Sequence, residues 1–90
     1  MNKSDLVSTI ADNSGLSKAD VARALEATTI AISGALAIGD SVTITGFGSF
    51  LVRARAARTG RNPQTGAAIQ ILASNAPAFK AGKLLKESVN

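Results

Sequence analysis

The side chains that most often carry enzyme chemistry are scarce in this sequence of 90 residues. The absence of His and Cys removes the commonest general base, the usual metal ligands and a thiolate nucleophile. A magnesium-dependent nuclease needs clustered carboxylates, and the acidic residues here are scattered: Asp5, Asp12, Asp20, Glu26, Asp40 and Glu87. The composition predicts a protein that is not an enzyme and binds no metal or cofactor, with the nuclease kept as an alternative.

Basic residues supply the clearest chemical pattern. Residues 46–90 carry seven basic side chains and one acidic one, whereas residues 1–45 carry three basic and five acidic ones. A basic surface confined to one half of a chain favours a polyanionic partner. Arg55, Arg58 and Arg61 recur at every third position, so on a twisted β-ribbon they would face different sides and reach phosphates on both walls of a groove.

A turn follows these arginines directly. Asn62-Pro63 opens it and Gly66 closes it, since proline presets φ and asparagine bonds to nearby backbone groups. Pro63 is also a rigid apolar group without an N–H donor, and inserted between base pairs it would kink a duplex. Asn62 and Gln64 would contact DNA beside it. The simpler interpretation, in which Pro63 only makes the turn, stays open.

Arg53 is a further candidate DNA contact. A second set of basic residues lies outside the turn, and it would hold the flanks of bent DNA: Lys3, Lys18, Lys80, Lys83 and Lys86. The last three share a helical face if the final helix begins early enough. Ser4 and Ser17 stand where helices are predicted to begin and would add phosphate contacts, although helix capping accounts for both.

The elements that must position these residues are readable from caps and periodicity. Asn2 with Asp5, and Ser17 with Asp20, predict helix starts for helices over residues 2–14 and 17–38. Glycines follow both helices. Val42 and Ile44 then alternate with Thr, which is typical of a strand.

A second strand begins at Ser49 after a Gly-Phe-Gly turn. Residues 54–72 are predicted to form a hairpin with Pro63 near its tip, spanning roughly 30 Å at ~3.3 Å per residue. We call residues 54–74 the arm. A short strand over residues 76–79 and a helix from about Lys83 end the chain. The predicted class is α+β in one domain: a helical base over 1–39, sheet and arm over 40–80, and a C-terminal helix over 81–90.

Little core material is available to a single chain. The only aromatic residues are Phe47, Phe50 and Phe79, and a chain this short buries roughly 60% of its unfolded surface. We therefore predict that the three rings lie in the core of a dimer. No apolar run is long enough for a secretory signal or a membrane span, so the expected location is the cytoplasm, without a membrane partner.

Three stretches resemble the bacterial HU and integration-host-factor family, with HU the more similar: residues 46–50 (GFGSF), 55–66 (RAARTGRNPQTG) and 77–83 (PAFKAGK). The resemblance extends over essentially the whole chain. It implies an intertwined dimer whose two arms embrace duplex DNA through the minor groove, with Pro63 as the wedge at each of two kinks. HU and its relatives are known minor-groove architectural proteins. The resemblance also implies roles in nucleoid compaction, replication, recombination and transcription.

The implied roles are specific to residues. Arginines matching Arg55, Arg58 and Arg61 would bind the DNA backbone and groove floor, and lysines matching Lys3, Lys18 and Lys83 would hold the flanks. Ala67 and Asn75 stand where relatives often carry a basic residue, so the returning strand of the arm is uncharged. This departure predicts fewer phosphate contacts and a shallower salt dependence of binding.

Four functions are compatible with these patterns. The leading one is a non-sequence-specific DNA-bending protein that acts as a homodimer. The second is a site-specific bender of the integration-host-factor kind, which reads DNA shape and pairs with a paralogue. The third is a protein-interaction module whose arm docks on a partner, and the fourth is the nuclease. RNA stays open as a further ligand, because backbone contacts do not exclude it.

Overall fold

The computed structural model describes residues 1–90, and its backbone contacts fall into two units, Met1–Gly34 and Ala35–Asn90. The elements in chain order are α1 (Lys3–Ser14), α2 (Lys18–Ala37), β1 (Val42–Ile44), β2 (Gly48–Arg55), β3 (Arg58–Arg61), β4 (Ala68–Ile71), β5 (Ser74–Ala81) and α3 (Lys83–Ser88). Helices combined with antiparallel strands confirm the predicted α+β class. The single domain stays a prediction.

Two reciprocal hydrogen bonds explain why α1 begins at Lys3. Asn2 Oδ1 accepts from the Asp5 backbone N–H at 2.9 Å, and Asp5 Oδ2 accepts from the Asn2 backbone N–H at 3.2 Å. The helix ends at Gly15, whose φ of 75° lies in the left-handed region that favours glycine. Both predicted ends of α1 are confirmed.

Only half of the predicted cap forms at the start of α2. Ser17 Oγ accepts from the Asp20 backbone N–H at 3.1 Å. The Asp20 carboxylate does not complete the pair but bonds to the guanidinium of Arg23, its oppositely charged neighbour one turn along the helix. One side-chain cap is nevertheless sufficient to begin the helix at Lys18.

β2 is the central strand of a three-stranded antiparallel sheet in the order β1-β2-β5. β5 pairs with β2 over its whole length, from Gly48↔Ala81 to Arg55↔Ser74, so the predicted strand over residues 76–79 was too short. The added length comes from pairing with β2, which lies far away in sequence, and Pro77 is part of that pairing opposite Val52. β5 lies at the edge of the sheet, where a missing N–H donor is tolerated.

The turn between β1 and β2 holds the start of α3. The Gly82 N–H donates to the Phe47 carbonyl at 2.7 Å, and the Leu85 N–H donates to the Gly46 carbonyl at 3.3 Å. A Cβ at Gly82 would lie 2.9 Å from the Phe47 carbonyl carbon, so the close approach requires glycine. α3 is therefore fixed at its first residues, and its start agrees with the predicted one.

β3 and β4 form a separate two-stranded ribbon, paired from Arg58↔Ile71 to Arg61↔Ala68. The β3–β4 pairing continues the register of the β2–β5 ladder, since the numbers of two paired residues add up to the same total in both. The register therefore continues without a slip across a gap of two residues on each strand, 56–57 opposite 72–73. Sheet and ribbon are one long hairpin with a break in its hydrogen bonding, which we call the hinge.

Very few hydrophobic side chains are buried within the chain. Only Ala11 and Val21 qualify, and both lie in the unit Met1–Gly34. In the unit Ala35–Asn90, large apolar side chains stay exposed: Ile38, Ile44, Phe47, Ile69, Ile71, Leu72, Phe79, Leu84 and Val89. No helix combines the length and the apolar character that crossing a membrane demands.

Candidate nucleic-acid interface

The tip of the arm, residues 62–67, is a closed turn. The Asn62 N–H donates to the Ala67 carbonyl and the Gly66 N–H donates to the Asn62 carbonyl, both at 2.8 Å. Gly66 has a φ of 70°, which a residue with a side chain rarely adopts. Pro63 lies at the exposed end of this turn. The turn thus presents the proline ring on a backbone that is bonded across its base.

The side chain of Asn62 builds the turn. Its Oδ1 accepts from the Gln64 N–H at 2.8 Å and from the Thr65 N–H at 3.4 Å. That oxygen is therefore committed to the chain itself, and only the side-chain nitrogen is left for a partner. Asn62 was predicted as a DNA contact, which stays a prediction; the structure shows in addition that its side chain stabilises the turn that carries Pro63. Gln64 is exposed beside it.

The register of β3 and β4 sorts the arm into two faces, because directly paired residues share a face and alternate residues change face. Arg58, Gly60, Ile69 and Ile71 form one, which we call the isoleucine face. Thr59, Arg61, Ala68 and Gln70 form the other, the polar face. Arg58 and Arg61 therefore lie on opposite faces of the ribbon, so the arm carries positive charge on both faces.

No acidic side chain competes for the arginines of β2 and β3. The single salt bridge in the chain joins Arg23 to Asp20 on α2. The arginines that precede the tip are all exposed: Arg53, Arg55, Arg58 and Arg61. Arg55 and Arg58 line the same cavity of about 310 Å³ at the hinge. The arm therefore carries exposed positive charge that nothing within the chain neutralises.

Lys3 and Lys18 belong to the unit Met1–Gly34 and come together there. Both line a shallow cavity of about 610 Å³, whose wall also includes Ser4. Ser17 lies outside this cavity and caps α2 through its hydroxyl oxygen. The structure thus brings two predicted flank lysines to one surface with a hydroxyl group beside them.

The other three lysines do not share one helix. Lys80 belongs to β5, because α3 begins only at Lys83. The prediction that Lys80, Lys83 and Lys86 share a helical face is wrong for Lys80, since the long β2–β5 pairing keeps that residue extended opposite Ser49. Lys83 and Lys86 lie on α3, and all three side chains are exposed.

The three phenylalanine rings form one cluster. The Phe79 ring centroid lies 4.9 Å from that of Phe50 and 5.5 Å from that of Phe47. Phe79 and Phe47 nevertheless remain 41% and 45% exposed. The rings pack on one another as a core would, yet much of that core is open to solvent in the single chain.

Sequence reasoning assigned no function to the isoleucines of the returning strand. Ile69 and Ile71 stay about two-fifths exposed on the arm, and Leu72 at the hinge is 74% exposed. The available signal was the alternation of apolar residues in a strand without charges. No group of three or more His, Cys, Asp or Glu side chains lies close enough to hold a metal ion.

Comparisons with known proteins agree with this geometry. The model of the family described as bacterial DNA-binding protein matches residues 1–90. The chain is 56% identical over 90 residues to the DNA-binding protein HU-beta of Pseudomonas aeruginosa, with 100% of both chains covered. It is 57% identical over 89 residues to HU-alpha of Vibrio proteolyticus, with 99% of each covered. A cocrystal structure of Anabaena HU with DNA is similar at a TM-score of 0.92 and 45% identity, covering 99% of this chain and 97% of that one.

Proposed function

The chain belongs to the bacterial DNA-binding protein family, the family of the HU proteins, and from this premise we propose that it binds duplex DNA without sequence preference and bends it. One observation carries the assignment: an exposed two-stranded arm ends in a bonded turn with Pro63 at its end, and free arginines precede that turn on both faces. The arm supplies both the arginines that bind DNA and the proline that bends it.

Pro63 acts as the wedge. A ring that enters between two base pairs must keep its position while it breaks their stacking, which costs a few kcal/mol per step. The backbone bonds across the tip and the Asn62 side chain hold the ring in place before DNA arrives. Because proline has no N–H donor, inserting it leaves no unpaired donor in the stack.

The arginines provide affinity without reading sequence. A β-ribbon is about 5 Å between strand axes, whereas the minor groove is about 6 Å wide, so the arm must widen the groove as it enters. Arg58 and Arg61 on opposite faces reach opposite walls, and Arg55 and Arg53 continue the path towards the sheet. Contacts to phosphates carry no sequence information, which accounts for the lack of preference.

Flank contacts come from the lysines. Lys3 and Lys18 share one surface of their unit, and Lys80, Lys83 and Lys86 are exposed in the other. DNA that has been kinked by the arms brings its outer segments towards the body of the protein. The lysines then neutralise phosphates of those segments and stabilise the bent form over the straight one.

We propose further that the protein acts as a homodimer. A folded monomer of 9.1 kDa exposes about 4900 Å², whereas this chain exposes 7059 Å². The excess of about 2200 Å² per chain corresponds to about 4400 Å² over two chains, which falls in the range that obligate dimers bury in total. The half-exposed rings of Phe47 and Phe79 provide the apolar surface that a second copy covers together with Phe50.

A site-specific bender would prefer its site by roughly 10³-fold or more over other sequences. The identity of 54–57% to proteins named HU favours the non-specific protein. A protein-interaction module would not need the row of unpaired arginines. Heterodimers with a paralogue and RNA as a second ligand are separate questions, to be addressed by mixing chains and by competition with RNA.

The proposed activity needs no catalysis and no cofactor. Binding and bending draw on charge and shape alone, and the relatives are named as DNA-binding proteins. Plasmid incubated with the protein and Mg²⁺ should stay supercoiled. Nicking above the level of a protein-free sample would instead support the alternative in which the protein is a nuclease. We expect the protein to act in the cytoplasm on the nucleoid, where a fluorescent fusion should overlap with stained DNA.

Energy transfer on a short duplex of arbitrary sequence, labelled at both ends, tests the proposal. Binding should bring the ends together and raise the transfer, and binding should weaken steeply with salt. An unrelated sequence of the same length should give the same curve. Binding without a rise in transfer would reduce the protein to a coating factor, and absence of binding at low salt would remove the assignment.

A further inference from the structure

One side of α2 is apolar, uncharged and uncovered within the chain. Ile30, Gly34 and Ile38 recur at every fourth position, so the first two lie one turn apart on the helix and Ile38 follows directly after its end. Ile30 is 64% exposed and Ile38 is 82% exposed. Ala27 and Ala31 are exposed on the same side. We call the side formed by Ala27, Ile30, Ala31 and Gly34 the outer face of α2.

A different side of α2 is already partly covered. Val21 is buried, and Leu25, Ile32 and Leu36 are half-buried. At 3.6 residues per turn, Gly34 lies about 160° around the helix from both Ile32 and Leu36. A partner chain that completes the burial of the half-buried side within the homodimer therefore leaves the outer face in contact with solvent.

Gly34 is the one glycine whose identity nothing within the chain explains. Every other glycine either has a positive φ or would bring a Cβ within 4 Å of another atom. Gly34 lies inside a helix with open space around it, and glycine destabilises a helix interior relative to alanine. The lack of a side chain permits the close approach of a second backbone. A helix of another molecule that crosses α2 at Gly34 supplies the missing reason.

We propose that the outer face of α2 joins one homodimer to another, with two α2 helices crossing at Gly34, and that the protein thereby bridges two DNA duplexes. The same face serves both partners, so the contact is symmetric, and it buries the exposed Ile30 side chains. The contact is small, so free dimers prevail in dilute solution. The association itself needs no DNA, whereas the bridging rests on the proposed function.

The distribution of charge identifies a second copy as the occupant. Residues 27–39 carry no charged side chain, so the outer face offers nothing to DNA phosphates or to a partner that binds through ion pairs. The net charge of +4 makes copies repel one another wherever basic groups meet. The nearest basic residue along α2 is Arg23, which is paired with Asp20. Two copies therefore meet at the outer face without that repulsion.

Sedimentation of the free protein over a range of concentrations, at low salt and at about 1 M salt, tests the association without DNA. We expect a species larger than the dimer that grows with concentration and persists at high salt, because no ion pair holds the contact. Ile30→Lys should weaken the association by about a hundredfold, since the substitution places a charge on both sides of the contact. Gly34→Leu should weaken it as well, because its side chain holds the helices apart while leucine favours the helix.

Thr9→Lys is the matched control, because it adds the same charge at an exposed position of α1 and should leave the association unchanged. Bridging is measured as the retention of a labelled duplex on an immobilised one. Ile30→Lys should lose this retention and still raise the energy transfer on a single doubly labelled duplex.

The inference is overturned if the unmodified protein stays a dimer at every concentration, or if Ile30→Lys and Thr9→Lys behave alike. It also fails if Ile30→Lys sediments as a monomer, because the outer face would then belong to the interface within the dimer. If dimers associate but bind no duplex at low salt, the proposed function fails and the association stands.

Discussion

At the residue scale, the tip of the arm separates the proposed wedge, Pro63, from the residue that holds it in position, Asn62. The Pro63 side chain makes no hydrogen bond to the rest of the chain, whereas Asn62 accepts two hydrogen bonds through Oδ1. One presents the wedge and the other fixes the turn. This division allows the two contributions to be measured separately.

Replacing the proline should abolish bending and spare much of the binding. Pro63→Ala removes the rigid ring while the arginines and the backbone bonds of the tip remain. We expect nearly unchanged affinity for DNA that is already nicked or kinked, and little rise in energy transfer on intact duplex. Gln64→Ala is the control: it removes a predicted DNA contact but leaves the proline in place, so it should lower the affinity and keep the bend. An unchanged bend in Pro63→Ala would show that the residue serves only the turn.

Replacing the asparagine should loosen the wedge without removing it. Asn62→Ala deletes two hydrogen bonds, each contributing about 1 kcal/mol to the order of the tip. We expect a smaller mean bend and faster hydrogen exchange at the Gln64 and Thr65 amides, which lose their acceptor. Affinity for pre-kinked DNA should fall by less than about threefold, ~0.7 kcal/mol. Full protection of those amides in the variant would contradict the positioning role.

At the element scale, the arm depends on a sheet whose strands approach closely. Gly48 on β2 is buried and is paired with Ala81 on β5. A Cβ at Gly48 would lie 2.6 Å from the Lys80 carbonyl oxygen and would contact the Phe79 ring. The backbone of β5 cannot move away without losing its pairing to β2. Glycine is therefore required at this position by packing and not by an unusual φ.

Gly48→Ala should destabilise the fold by about 1–3 kcal/mol, the usual cost of overpacking. For a domain of this size each kcal/mol lowers the melting temperature by about 4–8 °C. Gly34→Ala is the matched control, because nothing lies within 4 Å of a Cβ at that position. Calorimetry of the two variants at equal concentration measures the difference. A melting temperature of Gly48→Ala equal to that of the unmodified protein would mean that the strands separate freely.

The sequence predicts the elements better than it predicts the pairing between them. Asn2 with Asp5 locates the start of α1, and the Asn62-Pro63 turn locates the tip, because both signals act within a few residues. The length of β5 depends on its pairing with β2, which lies far away in sequence. The placement of Lys80 failed for the same reason.

Two features of the candidate site lie beyond local signals. The hinge is invisible in the sequence, since Ala56, Ala57, Leu72 and Ala73 include neither proline nor glycine and the register continues through them. The exposure of Phe47 and Phe79 in the single chain agrees with the prediction of a dimer core, but a hydrophobic pattern does not show which surface of a second copy would cover the rings.

At the scale of the whole molecule, folding and association should be one event. Because only Ala11 and Val21 are buried within a chain, we expect the melting temperature to rise with protein concentration. Phe79→Ala removes the ring that contacts both other phenylalanines and should cost about 3–5 kcal/mol if that ring is buried in the dimer. Sedimentation and thermal melts over a range of concentrations measure both effects. A melting temperature independent of concentration would contradict the obligate dimer.

The proposed dimer also predicts how binding responds to salt. Each phosphate that is neutralised contributes about −0.9 to the slope of log K against log salt concentration. A substitution in a homodimer removes the contact from both arms, so Arg58→Ala and Arg61→Ala should each reduce the slope by about 1.8. The loss should be the same on unrelated sequences, because phosphate contacts do not read bases.

Arg23→Ala is the control, since that guanidinium is paired with Asp20, and it should leave the slope unchanged. A reduction in slope of about 0.9 per variant would mean that only one arm binds the duplex. A loss of affinity confined to one sequence would show that the arm recognises bases.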